Sequence, residues 1–493
     1  MNGERAVIRS LPSGVPGLDS VLGGGLPEYS FNLIAGGPGS GKTTLAHQIM
    51  FANATAERPA LYFTVLGEPT LKMLRYQRQF SYFDPELAGS AIQFINLSAE
   101  VIERDLSEVL QRMVTEIERA KPGIVVVDSF RTIAGSSDKG LAFNLDQFVQ
   151  RLALNLTTWE VTSFLLGEYA AEEQRSPVFT VADGILWLTQ ATDRNSVVRK
   201  LQVVKTRGRS PMPGLHTFRI TDDGLQIFPR IPEQTRNRAP QTRERLATGV
   251  PGMDDMIGGG VIAGDAVMLT GPAGSGKSTF ATQFMVAGLA AGETGVIAVF
   301  EEYPEEYIAR ANARNPEVGK KINEGKLAVI YLRPLDLSVD EALFAILEGV
   351  ERLGAKRVVI DSLSGFEVAL APTFREDFRE SLYRLVGTLT ATGVTVFMTA
   401  EVSEAFSEAR FTTEKVSFIT DEIIVQRYIE LEGELRRVMA VIKMRGSDHT
   451  HEFRMYEVTA KGVVVGGPLT EYDGIITGVP TLRAKSTRAK RKK

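Results

Sequence analysis

Two short segments of this chain have the residue types and spacing to hold a phosphate chain. Gly36-Gly37-Pro38-Gly39-Ser40-Gly41-Lys42-Thr43 and Gly271-Pro272-Ala273-Gly274-Ser275-Gly276-Lys277-Ser278 both fit G-x-x-x-x-G-K-[ST]. In such a loop, glycines let backbone N–H groups curl round phosphate oxygens, and the helix N-terminus behind them adds positive potential. Lys42 and Lys277 reach the β- and γ-phosphates, while the Thr43 and Ser278 hydroxyls sit on Mg2+. Thr44 and Thr279 complete the two binding segments. ATP and Mg2+ are therefore the expected cofactors. Asp128 closes the run Ile124-Val125-Val126-Val127, and Asp361 closes Val358-Val359-Ile360. A carboxylate at the carboxyl end of a central strand faces the phosphate loop and can hold Mg2+ through water.

Phosphoryl transfer also needs a group to orient or deprotonate the attacking oxygen. Glu301 and Glu302, in Val299-Phe300-Glu301-Glu302-Tyr303-Pro304, suit that role. The first half reads Thr64-Val65-Leu66-Gly67-Glu68-Pro69, which puts Leu66 and Gly67 in the positions of the carboxylate pair and Glu68 one residue beyond. The first half is thus expected to bind nucleotide without fast turnover. Late in each half comes Lys-x-Arg-Gly, as Lys205-Thr206-Arg207-Gly208 and Lys443-Met444-Arg445-Gly446. Strand alternation puts each Lys and Arg on one side of the chain. Such cations could complete a nucleotide site in trans, as arginine fingers do.

The elements that must position these residues occur twice. Gly14-Val15-Pro16-Gly17 returns as Gly249-Val250-Pro251-Gly252, Gly23-Gly24-Gly25 as Gly258-Gly259-Gly260, and Lys42 as Lys277, all at an offset of 235. Over 14–56 against 249–291, 19 of 43 ungapped positions are identical, so whole domains are duplicated rather than short repeats. Each half runs strand (Phe31–Ala35; Ala266–Thr270), glycine loop, helix (Thr44–Ala56; Thr279–Ala291), strand (Ala60–Val65; Gly295–Phe300), helical stretch, and Asp-ended strand. A further strand follows at Thr162–Leu166 and Val394–Thr399. Short apolar runs between helices predict a mainly parallel sheet flanked by helices. The last third of each half reads as antiparallel hairpins, among them Gly184–Leu188, Val197–Lys205 and Leu215–Ile220. The expected domains are 1–230 and 248–474, joined by an Arg- and Pro-rich linker over 231–247 and followed by a basic disordered tail over 475–493.

Composition excludes other chemistries. With no cysteine, the 493 residues form no disulfide, thiolate zinc site, iron–sulfur cluster or cysteine nucleophile, and four scattered histidines argue against a transition-metal centre. Hydrophobic residues at 43% and charged residues at 24% match a folded soluble protein rather than a disordered chain. A net charge of −4 argues against a broad nucleic-acid path. The seven basic residues of 483–493 allow weak nucleic-acid or acidic-partner contact. No apolar run reaches 18 residues and the N-terminus lacks a signal-peptide core, so no membrane association and a cytoplasmic location are expected.

Taken together these residues resemble the KaiC family, duplicated RecA-like ATPases that include the bacterial clock protein. The resemblance runs from Leu11 to about Gly474. It rests on the G-V-P-G-[LM]-D…G-G-G lead-ins, Phe300-Glu301-Glu302, Asp128-Ser129, Asp361-Ser362, Ile419-Thr420-Asp421-Glu422-Ile423-Ile424 and Lys443-Met444-Arg445-Gly446-Ser447. It implies two tandem RecA-like domains and a double-ring homohexamer with ATP between subunits. It also implies ATP hydrolysis and serine/threonine autophosphorylation in the second ring. The family's acceptor pair falls on Ser417 and Phe418, so only Ser417 keeps a hydroxyl; Thr412 and Thr413 lie nearby as alternative acceptors. The family's first ring is usually the main ATPase, a pattern from which Leu66-Gly67 departs. Two functions are expected: an ATPase and autokinase signalling to a clock-type or other protein partner, or a nucleotide-gated scaffold or nucleic-acid-binding ATPase without kinase activity.

Overall fold

The structure is a computed structural model that describes residues 9–64, 70–98, 106–129, 142–169, 177–193, 196–230, 244–332, 337–370, 378–402, 419–475 and 480–482. The chain divides into two compact units, Met1–Arg230 and Ile231–Lys493. Each is built on a nine-stranded sheet with the same strand order. In the first unit that order is Ile92–Asn96, Ala60–Thr64, Ile124–Asp128, Thr162–Gly167, Phe31–Gly36, Gly184–Asp193, Ser196–Thr206, His216–Thr221 and Gly224–Phe228. In the second it is Leu327–Tyr331, Gly295–Val299, Arg357–Asp361, Thr395–Glu401, Ala266–Gly271, Glu422–Leu431, Glu434–Met444, Arg454–Thr459 and Gly462–Pro468. The first six strands of each sheet are parallel, and the last three turn back in an antiparallel meander. This is the expected fold.

The continuous apolar runs follow from burial on both faces. Phe31, Leu33 and Ala35 point into one core with Val109, Met113, Leu152 and Leu156, while Ile34 points into the other with Leu45 and Ile49. The helices Leu106–Ala120 and Ala142–Thr158 therefore cover one face, and the phosphate-loop helix Lys42–Asn53 covers the opposite one. The second sheet divides likewise: Met268 joins one core and Val267 and Leu269 the other, with Phe280, Phe284 and Met285 of helix Lys277–Ala290.

Several element boundaries differ from the sequence reading, and two kinds, repeated in both domains, matter to the site. The helices start at Lys42 and Lys277 rather than Thr44 and Thr279. Gly41 and Gly276 cap them with φ of 98°, a left-handed conformation natural to glycine. A Cβ there would also stand 2.8 Å from Ile220 Cδ1 or Val458 Cγ2. The strands expected to end at Leu166 and Thr399 run on to Gly167 and Glu401, because pairing with the phosphate-loop strand continues through Ala35 to Gly167 and Gly271 to Glu401.

The second domain ties its Asp361 strand to the phosphate-loop helix with a buried charge. Arg357 is 2% exposed; its Nε donates to Glu293 Oε2 at 2.5 Å and its Nη1 to the Ala247 and Phe284 carbonyls at 2.8 Å. The guanidinium also stacks 4.5 Å from the Phe284 ring. Gly288 leaves the room, since a Cβ would lie 2.4 Å from Nε. Arg245–Leu246 forms a two-strand ribbon with Val261–Ile262, and Thr481–Leu482 pairs with Tyr472–Asp473.

Candidate functional site

In the first domain the loop Gly36–Thr43 joins a strand to a helix at the carboxyl edge of the parallel sheet. Lys42 Nζ donates to the Gly37 carbonyl at 2.7 Å. Thr43 Oγ1 and Tyr62 Oη donate to the same oxygen, Asp128 Oδ2, at 2.9 and 2.5 Å. A hydroxyl and a carboxylate converging beside a phosphate loop form the oxygen donor set that Mg2+ takes with substrate phosphates. Burial pushes the Asp128 carboxyl up, and the Tyr62 and Thr43 hydrogen bonds and the Lys42 charge oppose that rise. Burial lowers the Lys42 ammonium, opposed by Glu168 and then Asp128. His47, fully buried on the helix that follows the loop, packs edge-on to Tyr62 at 4.7 Å between centroids. Burial lowers its pKa to about 4, so the ring is neutral at pH 7.

The second loop, Gly271–Ser278, repeats this geometry with more carboxylates. Lys277 Nζ donates to Gly271 O at 2.9 Å and Pro272 O at 2.7 Å. Its ammonium is lowered by burial and held up by Glu401, Asp361 and Glu301 in turn. Asp361 accepts from Thr399 Oγ1 at 2.5 Å, and Glu301 Oε1 accepts from Ser362 Oγ at 2.8 Å. Gly365 makes room for Glu301, because a Cβ there would lie 2.7 Å from its Cγ. The adjacent Glu302 instead forms an ion pair with Arg310. Beside the helix, Thr279, Thr282, Gln283, Arg310, Arg314 and Lys461 line a cleft in which Arg310 is already paired with Glu302.

Ser40 and Ser275 are fully buried under the two loops, with Gly39 and Gly274 at left-handed φ above them. Pro38 and Ala273 occupy the loop tips, and Tyr428 Oη donates to the Ala273 carbonyl at 3.4 Å. Thr44 and Thr279 lie in the first helical turn.

The Lys-x-Arg motifs lie at the other end of each sheet. Lys443 pairs with Ile423, which is level with Met268; Arg445 N–H donates to Asp421 O, and Asp421 N–H to Ala266 O. Ala266 begins the strand that ends at Gly271. At about 3.3 Å per residue, Arg445 is displaced by roughly 16 Å along the strand from its own phosphate loop. The Arg445 guanidinium pairs with Asp421 at 3.3 Å, and Lys443 Nζ donates to Thr420 O at 2.6 Å. Lys205 and Arg207 repeat this placement, on the Thr180 carbonyl at 3.1 Å and on Asp183 at 3.1 Å. Neither pair serves the nucleotide loop of its own domain.

Next to Asp421 the second domain buries a further carboxyl, Glu422, with 0% exposure. Its Oε1 accepts from Ile262 N–H at 3.1 Å. Burial, with Asp265 and Asp421 adding repulsion against the Ile262 bond and Arg245, raises its pKa from 4.5 to about 7. From pH 4.5 to about 7 the unfolded chain sheds this proton and the folded chain keeps it, so this group makes stability fall as pH rises. The full effect is about 3 kcal/mol. Urea unfolding should show Glu422→Gln matching the wild type at pH 5 and exceeding it by a kcal/mol or more at pH 8, on the order of this linkage. Equal midpoints at pH 8 would refute the assignment.

The geometry adds residues that the sequence reading did not single out: Glu168, Glu401, Tyr62, Thr399 and Gly365. Glu168 and Glu401 follow Phe164-Leu165-Leu166-Gly167 and Phe397-Met398-Thr399-Ala400, a pattern like that of Asp128 and Asp361. Leu66, Gly67, Glu68, Thr412, Thr413, Ser417 and Phe418 lie outside the described residues. Among the described residues no group of three or more His, Cys, Asp or Glu could hold a metal, and no helix is long and apolar enough to cross a membrane.

A family model for the KaiC ATPase matches residues 11–231 and again 246–470. The chain is 27% identical over 484 residues to the circadian clock oscillator protein KaiC of Rippkaea orientalis, covering 96% of this chain and 92% of the relative. It is 27% identical to the circadian clock protein KaiC3 of Synechocystis, covering 97% and 96%. The KaiC of Picosynechococcus is 26% identical, with 97% and 94% covered.

Proposed function

The chain belongs to the KaiC family of ATPases, and from that premise we propose that it is a homohexameric ATPase and serine/threonine autokinase acting as a cytoplasmic signalling or timing regulator. The observation that carries this reading is the position of Lys443 and Arg445, at the opposite end of the sheet from Gly271–Ser278. Cations set there reach a nucleotide only if a neighbouring subunit brings its phosphate loop to them. Lys205 and Arg207 repeat the arrangement, so each domain would make a ring contact of the same kind.

The phosphate loops bind ATP. Thr43 with Asp128, and Ser278 with Asp361, are the residues that would hold Mg2+, which would supply charge neutralisation for phosphoryl transfer. In the second domain Glu301 orients the attacking oxygen and accepts its proton, with Glu302 beside it held in an ion pair with Arg310. With water attacking, the product is phosphate; with the Ser417 hydroxyl of the adjacent subunit, it is phosphoserine. In both cases the bond from the γ-phosphorus to the β–γ bridging oxygen breaks and its electron pair leaves with ADP. The acceptor hydroxyl must lie in line, roughly 3–3.5 Å from the phosphorus.

Incubation with γ-labelled ATP tests the whole reading. Expected are released phosphate, label on a peptide containing Ser417, loss of that label in Ser417→Ala, and a hexamer by light scattering with Mg-ATP. Label moving to Thr412 or Thr413 would correct the acceptor alone. Phosphate release from a hexamer without labelled peptide would leave a nucleotide-gated scaffold. A monomer with and without Mg-ATP would overturn the ring.

A further inference from the structure

We propose that Glu168 is the carboxylate that orients water for ATP hydrolysis in the first domain. The inference rests on the reading of both loops as ATP sites and assigns a catalytic group to the domain that lacks the Glu301-Glu302 pair. Leu66 and Gly67 leave the first domain without a carboxylate at those two positions. Asp128 is committed elsewhere, with Thr43 and Tyr62 both donating to its Oδ2. Glu168 lies one residue past Gly167, whose strand partner is Ala35, so it stands abreast of Gly36, the first residue of the loop. Neighbouring strands lie about 4.8 Å apart, which puts this residue at the rim of the phosphate loop. It is exposed, and its charge is the largest favourable influence on the Lys42 ammonium.

The second domain repeats the placement. Glu401 is the strand partner of Gly271, the equivalent loop residue, and its backbone N–H donates to Ser364 Oγ at 3.0 Å. Among the carboxylates acting on Lys277 it ranks ahead of Asp361 and Glu301. A carboxylate at this strand end is therefore a constant of both sites, whereas the Glu301 position is filled by one in the second half only. In the first domain the water oxygen forms a bond to the γ-phosphorus and the bond to the β–γ bridging oxygen breaks. ADP leaves with that electron pair, and the water proton passes to the Glu168 carboxylate and then to solvent.

The full-length chain carrying Glu301→Gln isolates the first domain, and its steady-state phosphate release with Mg-ATP is the baseline. A slow residual turnover is expected, with kcat lowered at least tenfold by adding Glu168→Gln and KM little changed. Adding Glu68→Gln to the baseline should leave kcat within a factor of about two, since in the sequence it stands one residue beyond the positions of the carboxylate pair. Filter binding of labelled ATP checks that Glu168→Gln still fills its sites. The proposal fails if Glu301→Gln has no residual turnover, if Glu168→Gln leaves the residue of activity intact, or if Glu68→Gln is the change that removes it. If Glu301→Gln instead turns over at the wild-type rate, the assignment of the second domain as the faster site is what fails, and Glu168→Gln in that same background still decides the role of Glu168.

Discussion

Lys277→Ala should lower ATP turnover by roughly two to three orders of magnitude, whereas Lys42→Ala should chiefly weaken nucleotide-dependent assembly. Both lysines lie in the first turn of a helix behind a glycine loop, and both ammonium groups face carboxylates. What separates them is Glu301, which sits with Lys277, accepts from Ser362, and has space kept for it by Gly365. Glu301→Gln should therefore approach the effect of Lys277→Ala. Glu302→Gln should cost less, because that side chain is engaged with Arg310 at the rim. Phosphate release at saturating Mg-ATP separates these variants, and light scattering reports assembly. Retention of most turnover by Lys277→Ala would place the faster site in the first domain.

Arg445→Ala should lower turnover about 10³-fold while sparing nucleotide binding, the size seen when a cation supplied in trans is removed. That corresponds to about 4 kcal/mol of transition-state stabilisation. Removing the guanidinium also leaves Asp421, 2% exposed, without its 3.3 Å partner, so part of any loss could come from the fold. Arg445→Lys, which keeps the charge, separates the two causes: a merely structural role predicts recovery of both stability and turnover. The catalytic role predicts recovered stability with turnover still low, because an ammonium lacks the planar fork of guanidinium. Labelled-ATP binding alongside the rate measurement decides between them.

The parts of the site that were legible in the sequence are those encoded by local spacing. A glycine loop ending in Lys42-Thr43 or Lys277-Ser278 needs only eight consecutive residues, and Asp128 and Asp361 announce themselves after unbroken apolar runs. The doubled pattern made the two-domain parallel fold legible as well. Glu168 and Glu401 were hidden because their importance comes from a strand neighbour more than 100 residues away, Gly36 or Gly271. Adjacent carboxylates posed the opposite difficulty: Glu301 and Glu302 stand side by side in the sequence, and only the fold shows that Arg310, a helical turn or more downstream, pairs with Glu302. Alternation speaks only to which side of the chain Lys443 and Arg445 share, and strand polarity decides which end of the sheet they occupy.

That polarity makes each domain a socket at one edge and a plug at the other. In the proposed ring such contacts would be heterologous, with subunits joined head to tail and the ring closing so that no socket is left unfilled. A chain with a ruined socket, Lys277→Ala, still carries a sound plug; a chain with a ruined plug, Arg445→Ala, still carries a sound socket. Two inactive proteins should thus rescue one another when dissociated and reassembled together. In an equal mixture with random seating, about one contact in four joins a sound socket to a sound plug, so roughly a quarter of wild-type turnover should return. A site completed within one chain would give no rescue at any mixing ratio.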